Sequence, residues 1–363
     1  MSVLSNAPLP TGATIGILGG GQLGRMLALA AAELGFQTHI FTPEEDSPAA
    51  RVAAQVTVAP FENAAAISAF ARGVDILTFE FENIPVAALE AAIAAGARVA
   101  PSLQVLTTTQ DRAPEKQMLN EAGAPTVRYS LIDSGADIGA AAAQIGFPSI
   151  LKTRRLGYDG KGQAKVQSET ELRAAFDRFN APCVLEAMAP FEKEFSIVAA
   201  RSANGEFAAF DASENEHRNH ILHRTLAPAS APPRALAEAA SATKRVMEAL
   251  DYVGVGAIEF FLMPDGEVLA NEMAPRVHNS GHWTQDACFT SQFEQHIRAI
   301  CNWPLGSPDR FANAEMINLI GDDVADWKQW ASLNGAKLHL YGKRQARPGR
   351  KMGHVVKLTP LRR

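Results

Sequence analysis

Cysteine is scarce in this chain: 363 residues include only Cys183, Cys288 and Cys301. Their spacing suits neither a disulfide framework nor a metal-ligand set, which points to three buried thiols in a reducing compartment. Long apolar runs are missing too. None reaches the roughly 18 to 20 residues of a membrane span, and residues 1–10 have neither the basic start nor the apolar stretch of a secretory leader. The expectation is a cytoplasmic protein with no membrane partner. Positive charge is in deficit, with 34 Lys and Arg against 39 Asp and Glu, a net charge of -5. A chain with no general cationic field is not built to hold nucleic acid, so any phosphate it binds must be held by local arrangements. What is present is ordinary globular composition, 47% hydrophobic and 20% charged, far from the regime of disordered chains. The length fits two or three domains.

Alanine-rich stretches at 64–71, 87–97 and 140–143 read as helices packed closely on a sheet. Short β-branched or aromatic stretches at 14–18, 38–42, 76–79 and 99–101 alternate with helices, which predicts a parallel α/β domain over 1–105. From Asp111 the texture changes. A helix over 112–121 is followed by strands at 127–131, 149–152, 184–186, 194–200, 206–210, 257–263 and 268–272, with a helix at 232–250, predicting an α+β region over 106–302. The last two of these strands flank a Pro264-Asp-Gly266 turn. The tail, 303–363, holds strands at 314–320, 338–341 and 354–358 and is expected to be a small β-rich third unit. No repeat at a solenoid period is present.

Gly19-x-Gly21-x-x-Gly24 follows a strand and opens a helix, the context of a dinucleotide fingerprint. The acidic residue expected at the end of the second strand is absent: 39–41 runs into Thr42-Pro43, with acids only beyond the proline. NAD is therefore disfavoured, while anion binding by the loop's backbone N–H groups, aided by Gln22, remains open. Acids interleave with aromatics in Phe79-Glu80-Phe81-Glu82-Asn83 at a strand end, where α/β ligands bind. Glu80 is either an acceptor for a substrate amine or a solvated carboxylate.

Lys152 ends an apolar strand ahead of a loop holding Gly157, Gly160 and Gly162, either a phosphate cradle with Lys152 and Lys161 supplying charge or an ordinary hairpin turn. Glu259 and Glu272 each interrupt an apolar strand across one hairpin. Two such carboxylates suggest a magnesium-type site with Asn271 adding an oxygen, the alternative being an ion pair with arginine. His278 and His282 stand four apart in a Ser-Gly loop and not on a helix, which argues against zinc. Five basic residues in nine, from Lys343 to Lys351, surround a Pro-Gly turn that suits one phosphomonoester better than a polymer backbone, or is merely a solvated turn.

The stretches GILGGGQLGRML, LKTRRLGYDGKGQ, NEMAPRVHNSGHWT and RPGRKMGH, in this order, closely resemble the 5-(carboxyamino)imidazole ribonucleotide synthases of the ATP-grasp superfamily, across nearly the whole chain. The resemblance implies a Rossmann-like preATP-grasp domain binding substrate instead of NAD, a central ATP-grasp domain with a mobile lobe at about 125–190, and a small C-terminal domain. It implies carboxylation of aminoimidazole ribonucleotide by bicarbonate and ATP with magnesium, without NAD or biotin, in a homodimer. Carried over by position, Arg112 and Lys152 contact ATP phosphates, and Gly157, Tyr158, Asp159, Gly160, Lys161, Gly162 and Gln163 form a flap. Glu186, Ala187, Met188 and Ala189 meet adenine, Glu194 takes the ribose, and His217 lies at the nucleotide. Glu259 and Glu272, with Asn271, hold magnesium. Gln22, Leu23, Glu80, Asp159, Asn279, Lys343, Arg350 and Lys351 face the ribonucleotide, and Arg276 grips bicarbonate or carboxyphosphate. Lys152, Arg276, Asp159 and Glu80 make up the catalytic set. The rival functions are a formate-dependent glycinamide ribonucleotide transformylase of the same layout, which the NSGHWT stretch disfavours, an NAD-dependent dehydrogenase, and a non-enzymatic ATP-binding regulator.

Overall fold

A computed structural model describes residues 7–157 and 160–361. Four parallel strands, β1 (Thr14–Leu18), β2 (Gln37–Thr42), β3 (Gln55–Val58) and β4 (Ile76–Phe79), form the first sheet in the order β3-β2-β1-β4. β3 is unforeseen: it lies at the edge with Gln55, Val56 and Val58 exposed, so no buried apolar run marks it. The strand expected at 99–101 is only a parallel bridge from Val99 to Leu77. Because β4 lies on the opposite side of β1 from β2, the strand order reverses between β1 and β4, and a crevice opens at their C-terminal ends. The Gly19 loop and the Glu80–Glu82 segment leave the sheet there.

A second, antiparallel sheet comprises β5 (Tyr129–Ile132), β6 (Ser149–Thr153), β7 (Gln163–Val166) and β8 (Cys183–Ala187), ordered β5-β8-β6-β7. The helices Ile138–Ile145 and Glu169–Phe179 bury Ile138, Ile145 and Leu172 against Leu151 and Leu185 of its strands. The glycine-rich loop is the β6–β7 hairpin turn, pinned where Thr153 N–H donates to the Gly162 carbonyl at 2.7 Å.

The largest sheet holds β9 (Lys193–Arg201), β10 (Phe207–Ala209), β11 (Ser213–Arg218), β12 (Ile221–Ala227), β13 (Gly254–Leu262), β14 (Val268–Ala274), β15 (Ala312–Ile320), β16 (Ala336–Leu340) and β17 (Lys351–Pro360). Its order is β14-β13-β9-β11-β12-β15-β17-β16, with β10 on β9. Polar β11 and β12 escape sequence patterning, because their ladder partners and not their hydrophobicity fix them as strands. The tail strands form no sheet of their own. β15 pairs with β12, Arg224 opposite Ile317, so the C-terminal segment prolongs the central sheet and covers what would be the open edge of β12. Helix Pro233–Ala249 packs Ala239, Ala242 and Val246 on Ile197, Phe260 and Met273.

His296 joins the first sheet to the third. On helix Gln292–Ile300 and buried, it accepts the Val255 N–H at Nδ1 (3.0 Å) and meets Thr78 Oγ1 through Nε2 (2.8 Å). The Val255 donor fixes the Nε2–H tautomer. Burial pushes this imidazole down to about 3, and burial likewise depresses His278, His282 and His354. The unfolded chain binds protons that these folded imidazoles refuse, so stability is lost as pH falls below the ordinary histidine value of 6.5. Urea unfolding is expected to show this decline between pH 6.5 and about 5, above the titration of most carboxylates, with a shallower slope in His296→Gln. Glu115 and Glu259, raised to about 7 by burial, oppose the decline by taking up protons in the folded state, so the slopes decide: equal slopes in the parent and His296→Gln would contradict the neutral, sequestered state of this ring.

Candidate active site

The C-terminal ends of β1 and β4, the β6–β7 turn, β13, β14 and the β16–β17 turn converge on one cavity of about 1130 Å³. Its wall includes Gln22, Leu23, Glu80, Arg112, Lys152, Gly157, Gly160, Lys161, Gly162, Gln163, Glu194, His217, Glu259, Asn271, Glu272, Arg276, Asn279, Lys343, Arg350 and Lys351. Residues spread over more than three hundred positions therefore share one space. Tyr158 and Asp159 lie outside the described residues. Glu186, Ala187, Met188 and Ala189 are not part of this wall; beside them Phe191 stacks on Phe261, ring centroids 4.5 Å apart, and both rings face the cavity.

The Gly19 loop does bind an anion, but the anion is the chain's own. Gly21 N–H donates to Glu80 Oε1 at 2.7 Å and Gly24 N–H to Oε2 at 3.1 Å. Both carboxylate oxygens are thus engaged by the opening of helix Gln22–Glu33, where orphan N–H groups favour negative charge. The loop N–H groups left open to an outside anion are thus taken by Glu80, which lines the cavity and is not a solvated carboxylate. Burial raises its pKa, opposed by those two N–H groups. The glycines are spacers for this contact, since a Cβ on Gly21 would stand 2.6 Å from Glu80 Oε1.

On the other wall, Glu259 of β13 faces Glu272 of β14 directly in the ladder. They are cleft residues, with side chains 18% and 40% exposed, and not core carboxylates. Arg112 Nη1 reaches Glu272 Oε2 at 2.9 Å, and His278 Nε2 lies 3.4 Å from Glu259 Oε1. The expected arginine pair and the carboxylate pair therefore coexist, the arginine arriving from the start of helix Arg112–Glu121. Burial and the nearby Glu272 raise the Glu259 pKa, whereas Arg112 and Lys152 outweigh burial and lower that of Glu272. Among the described residues no group of three or more His, Cys, Asp and Glu is placed to hold a metal by itself. Two opposed carboxylates beside an amide oxygen suit a hard cation that takes its remaining oxygens from phosphate.

Several partners escaped the sequence. Glu186, expected at adenine, is buried on β8 between Lys152 Nζ (2.8 Å) and Lys116 Nζ (2.9 Å), which outweigh its burial and hold it at about 2. Its side chain is committed to lysines, not to a base. Arg276 is ion-paired through Nε with Glu82. Asn279, expected on substrate, spends its side chain on a reciprocal amide pair with Asn318: Asn279 Nδ2 donates at 3.0 Å and Asn318 Nδ2 donates back at 2.7 Å. Gln292 clamps the same loop, its Oε1 accepting from His278 N–H at 2.9 Å and its Nε2 donating to the His278 carbonyl at 2.7 Å. A polar residue inside an apolar stretch was the available signal for Asn318, which stands in the run Met316-Ile-Asn-Leu-Ile320. Opposite, Lys343 Nζ donates to the Lys351 carbonyl at 2.8 Å, and burial, then Arg350, pulls its pKa down to about 8. Glu194 and His217 pair at 2.7 Å.

Three family models match this chain in sequence order. They are a ribonucleotide synthetase preATP-grasp domain over residues 12–110, an ATP-grasp domain over 117–293 and a phosphoribosylaminoimidazole carboxylase C-terminal domain over 314–360. The N5-carboxyaminoimidazole ribonucleotide synthase of Brucella melitensis is 48% identical over 360 residues, 98% of this chain and 99% of that protein. That of Bacillus subtilis is 41% identical over 347 residues, 95% of this chain and 91% of the other. The chain belongs to the N5-carboxyaminoimidazole ribonucleotide synthase family. A crystal structure of an ADP complex of one such synthetase superposes with a TM-score of 0.93 at 44% identity, covering 97% of this chain and 94% of that one. The Aspergillus clavatus synthase, solved with ADP and 5-aminoimidazole ribonucleotide, gives 0.90 at 29% identity, with coverage of 96% and 94%. The three-part fold expected from the motifs is thus that of the synthase family.

The Glu80 seat has a direct test. Gly21→Ala, which must displace a buried carboxylate, is expected to lower stability by about 1–3 kcal/mol. Gly139→Ala, within helix Ile138–Ile145 and with nothing within 4 Å of the new Cβ, is expected to raise it by about 0.5–1 kcal/mol. Denaturant titration of the two variants reads the contrast, and equal effects would refute the seat.

Proposed function

We propose that this chain catalyses the ATP- and bicarbonate-dependent carboxylation of the exocyclic amine of 5-aminoimidazole ribonucleotide, giving 5-(carboxyamino)imidazole ribonucleotide, ADP and phosphate for purine biosynthesis. The supporting observation is one cavity that has Lys152, Arg112 and the Glu259–Glu272 pair on one wall and the Lys343–Arg350–Lys351 turn on the other. It offers places for two phosphorylated ligands at once, in a chain whose solved relatives carry ADP and 5-aminoimidazole ribonucleotide.

On this reading Lys152 and Arg112 hold the nucleotide phosphates, while Glu194 and His217 take the ribose side. Phe191 and Phe261 offer apolar surface to the base. Glu259, Glu272 and Asn271 would hold magnesium, which supplies charge neutralisation at the phosphates when bound. Arg276, oriented by Glu82, grips bicarbonate. A bicarbonate oxygen attacks the γ-phosphorus in line, the bond to the β-bridging oxygen breaks, and carboxyphosphate forms beside ADP. Transfer of the carboxyl group to the substrate nitrogen releases phosphate and one proton. Glu80, held by the Gly21 and Gly24 N–H groups, and Asp159 are the two carboxylates assigned to the amine. Gln22, Leu23 and the Asn279 loop line that seat, and Lys343, Arg350 and Lys351 bind the 5′-phosphate. The turn from Gly157 to Gln163 closes over the nucleotide and excludes water from the labile intermediate. Among the described residues no helix is long and apolar enough to cross a membrane. We place the enzyme in the cytoplasm, where its three unpaired, buried cysteines stay reduced, and as a homodimer in keeping with the family resemblance.

Phosphate release from ATP and magnesium is expected to require both bicarbonate and 5-aminoimidazole ribonucleotide. Turnover with formate and glycinamide ribonucleotide instead would transfer the chain to the transformylase class. Glu272→Ala is expected to abolish turnover while leaving the far-ultraviolet circular dichroism unchanged. Lys343→Ala should raise the ribonucleotide KM by roughly tenfold or more, the size of a lost charge-assisted bond, and barely move the ATP KM. Equal changes in both KM values would contradict the assignment of the basic turn.

A further inference from the structure

Lys116 takes no part in the chemistry above, yet it is the most deeply buried cation near it. Its side chain is 0% exposed, with Nζ 2.9 Å from Glu186 Oε1 and 3.5 Å from the Asn271 carbonyl. The other oxygen of Glu186, Oε2, lies 2.8 Å from Lys152 Nζ, which also reaches Asn271 Oδ1 at 3.4 Å. One carboxylate, 4% exposed, therefore holds a lysine on each oxygen. The two lysines come from different bodies. Lys152 stands on β6, paired in register with β8 of the same sheet, while Lys116 belongs to helix Arg112–Glu121, which packs beside β14. Lys152 lines the cavity and Lys116 does not.

Two lysines on one buried carboxylate leave that anion with a partner to spare, since a single ion pair would already offset much of the cost of burying it. The spare partner makes sense if one cation has a second destination. A lysine paired only with Glu186 would be held there, because its departure would strand a desolvated carboxylate, the situation in which breaking a buried pair costs most. With a second lysine fixed on the far oxygen, the carboxylate keeps a partner after the first one leaves. Glu186 is then still ion-paired with Lys116, and the released cation meets incoming phosphate.

We infer that Lys116 is a positioning residue that keeps Glu186 paired while Lys152 is handed over to the phosphates of the bound nucleotide. The inference rests on Lys152 being a phosphate-binding residue, as proposed above. Of the two lysines that share Glu186 and Asn271, Lys152 moves and Lys116 stays.

The test compares Lys116→Met, Lys116→Arg, Glu186→Gln, the double variant Lys116→Met with Glu186→Gln, and Lys152→Met. The readouts are the KM values for ATP and ribonucleotide, and ADP affinity by titration calorimetry. Lys116→Met is expected to raise the ATP KM and weaken ADP by roughly tenfold or more, leaving the ribonucleotide KM within about twofold, since Lys152 is then bound to a carboxylate with no other partner. Adding Glu186→Gln should restore most of the loss, because no charged carboxylate remains to retain Lys152. Lys116→Arg, which keeps the charge, should stay within about threefold of the parent. A purely structural role for Lys116 would make the double variant at least as weak as Lys116→Met. Unchanged ADP affinity in Lys116→Met, or no recovery in the double variant, overturns the handover. Should Lys116→Met alone fail to fold, the double variant decides: ADP affinity near that of the parent supports the handover and its loss overturns it. Lys152→Met separates the two levels. Unchanged ADP affinity there removes the phosphate role of Lys152 and the handover with it, whereas lost affinity there with parental affinity in Lys116→Met removes the handover alone.

Discussion

Glu259 and Glu272 stand opposite one another on adjoining strands, and the compensation of that local negative charge organises much of what surrounds them. Like charges directly across a ladder destabilise it. Arg112 answers the charge of Glu272 with an ion pair, while the neutral imidazole of His278 lies 3.4 Å from Glu259. Arg112 begins the helix after Asp111, whose side chain caps that helix by accepting from Ala113 N–H at 3.0 Å and is itself held by Arg154 of the β6 sheet at 2.8 Å. Neutralising Glu272 thus draws the second sheet toward the third. His278, in turn, is fixed by Gln292 of the helix that carries His296 and reaches the first sheet. The three sheets meet around one pair of acids.

The same logic governs the other acids of the cleft. Glu80 is satisfied by backbone N–H groups, Glu82 by Arg276 and Glu186 by two lysines. With these acids partnered within the protein, Lys343, Arg350 and Lys351 of the β16–β17 turn line the same cavity. A chain of net charge -5 can in this way present a cationic space for small phosphates while offering no positive surface to a polymer. Charge is resolved side chain by side chain, which is why the overall balance carried so little information about the ligand.

That also explains what was legible in the sequence. β1 and β4 and the Arg112–Glu121 helix coincide with their expected limits, since an apolar strand between glycine-rich breaks and an Asp-capped helix carry their signals locally. Glu259 and Glu272 were recognisable because acids interrupting apolar strands conflict with local preference. The Glu80 seat was not recognisable. Glycines that cradle a ligand's phosphate and glycines that cradle the protein's own carboxylate use the same backbone geometry, and a contact across 59 residues leaves no local trace. Lys116 was passed over because a lysine inside a helix is ordinarily a solvated face, and only the tertiary placement of Glu186 makes it otherwise. β11 and β12 failed for the opposite reason, being strands through pairing and not through pattern.

The C-terminal strands have a consequence beyond closing an edge. β17 begins at Lys351, which lines the cavity, and β15 joins it to β12, which is linked through β11 and β9 to β13 and thus to Glu259. The cationic turn and the carboxylate pair are therefore carried by one continuous hydrogen-bonded sheet. A transfer between two bound ligands requires that their separation be fixed when the reacting atoms meet, and a shared sheet provides this without help from either ligand. The parts that move on the proposed reading, the β6–β7 turn and the lysine on β6, belong to the separate four-stranded sheet. That reading gives rigidity between the two ligand seats and mobility over one of them to different sheets, and the Lys116–Glu186–Lys152 cluster lies at their junction.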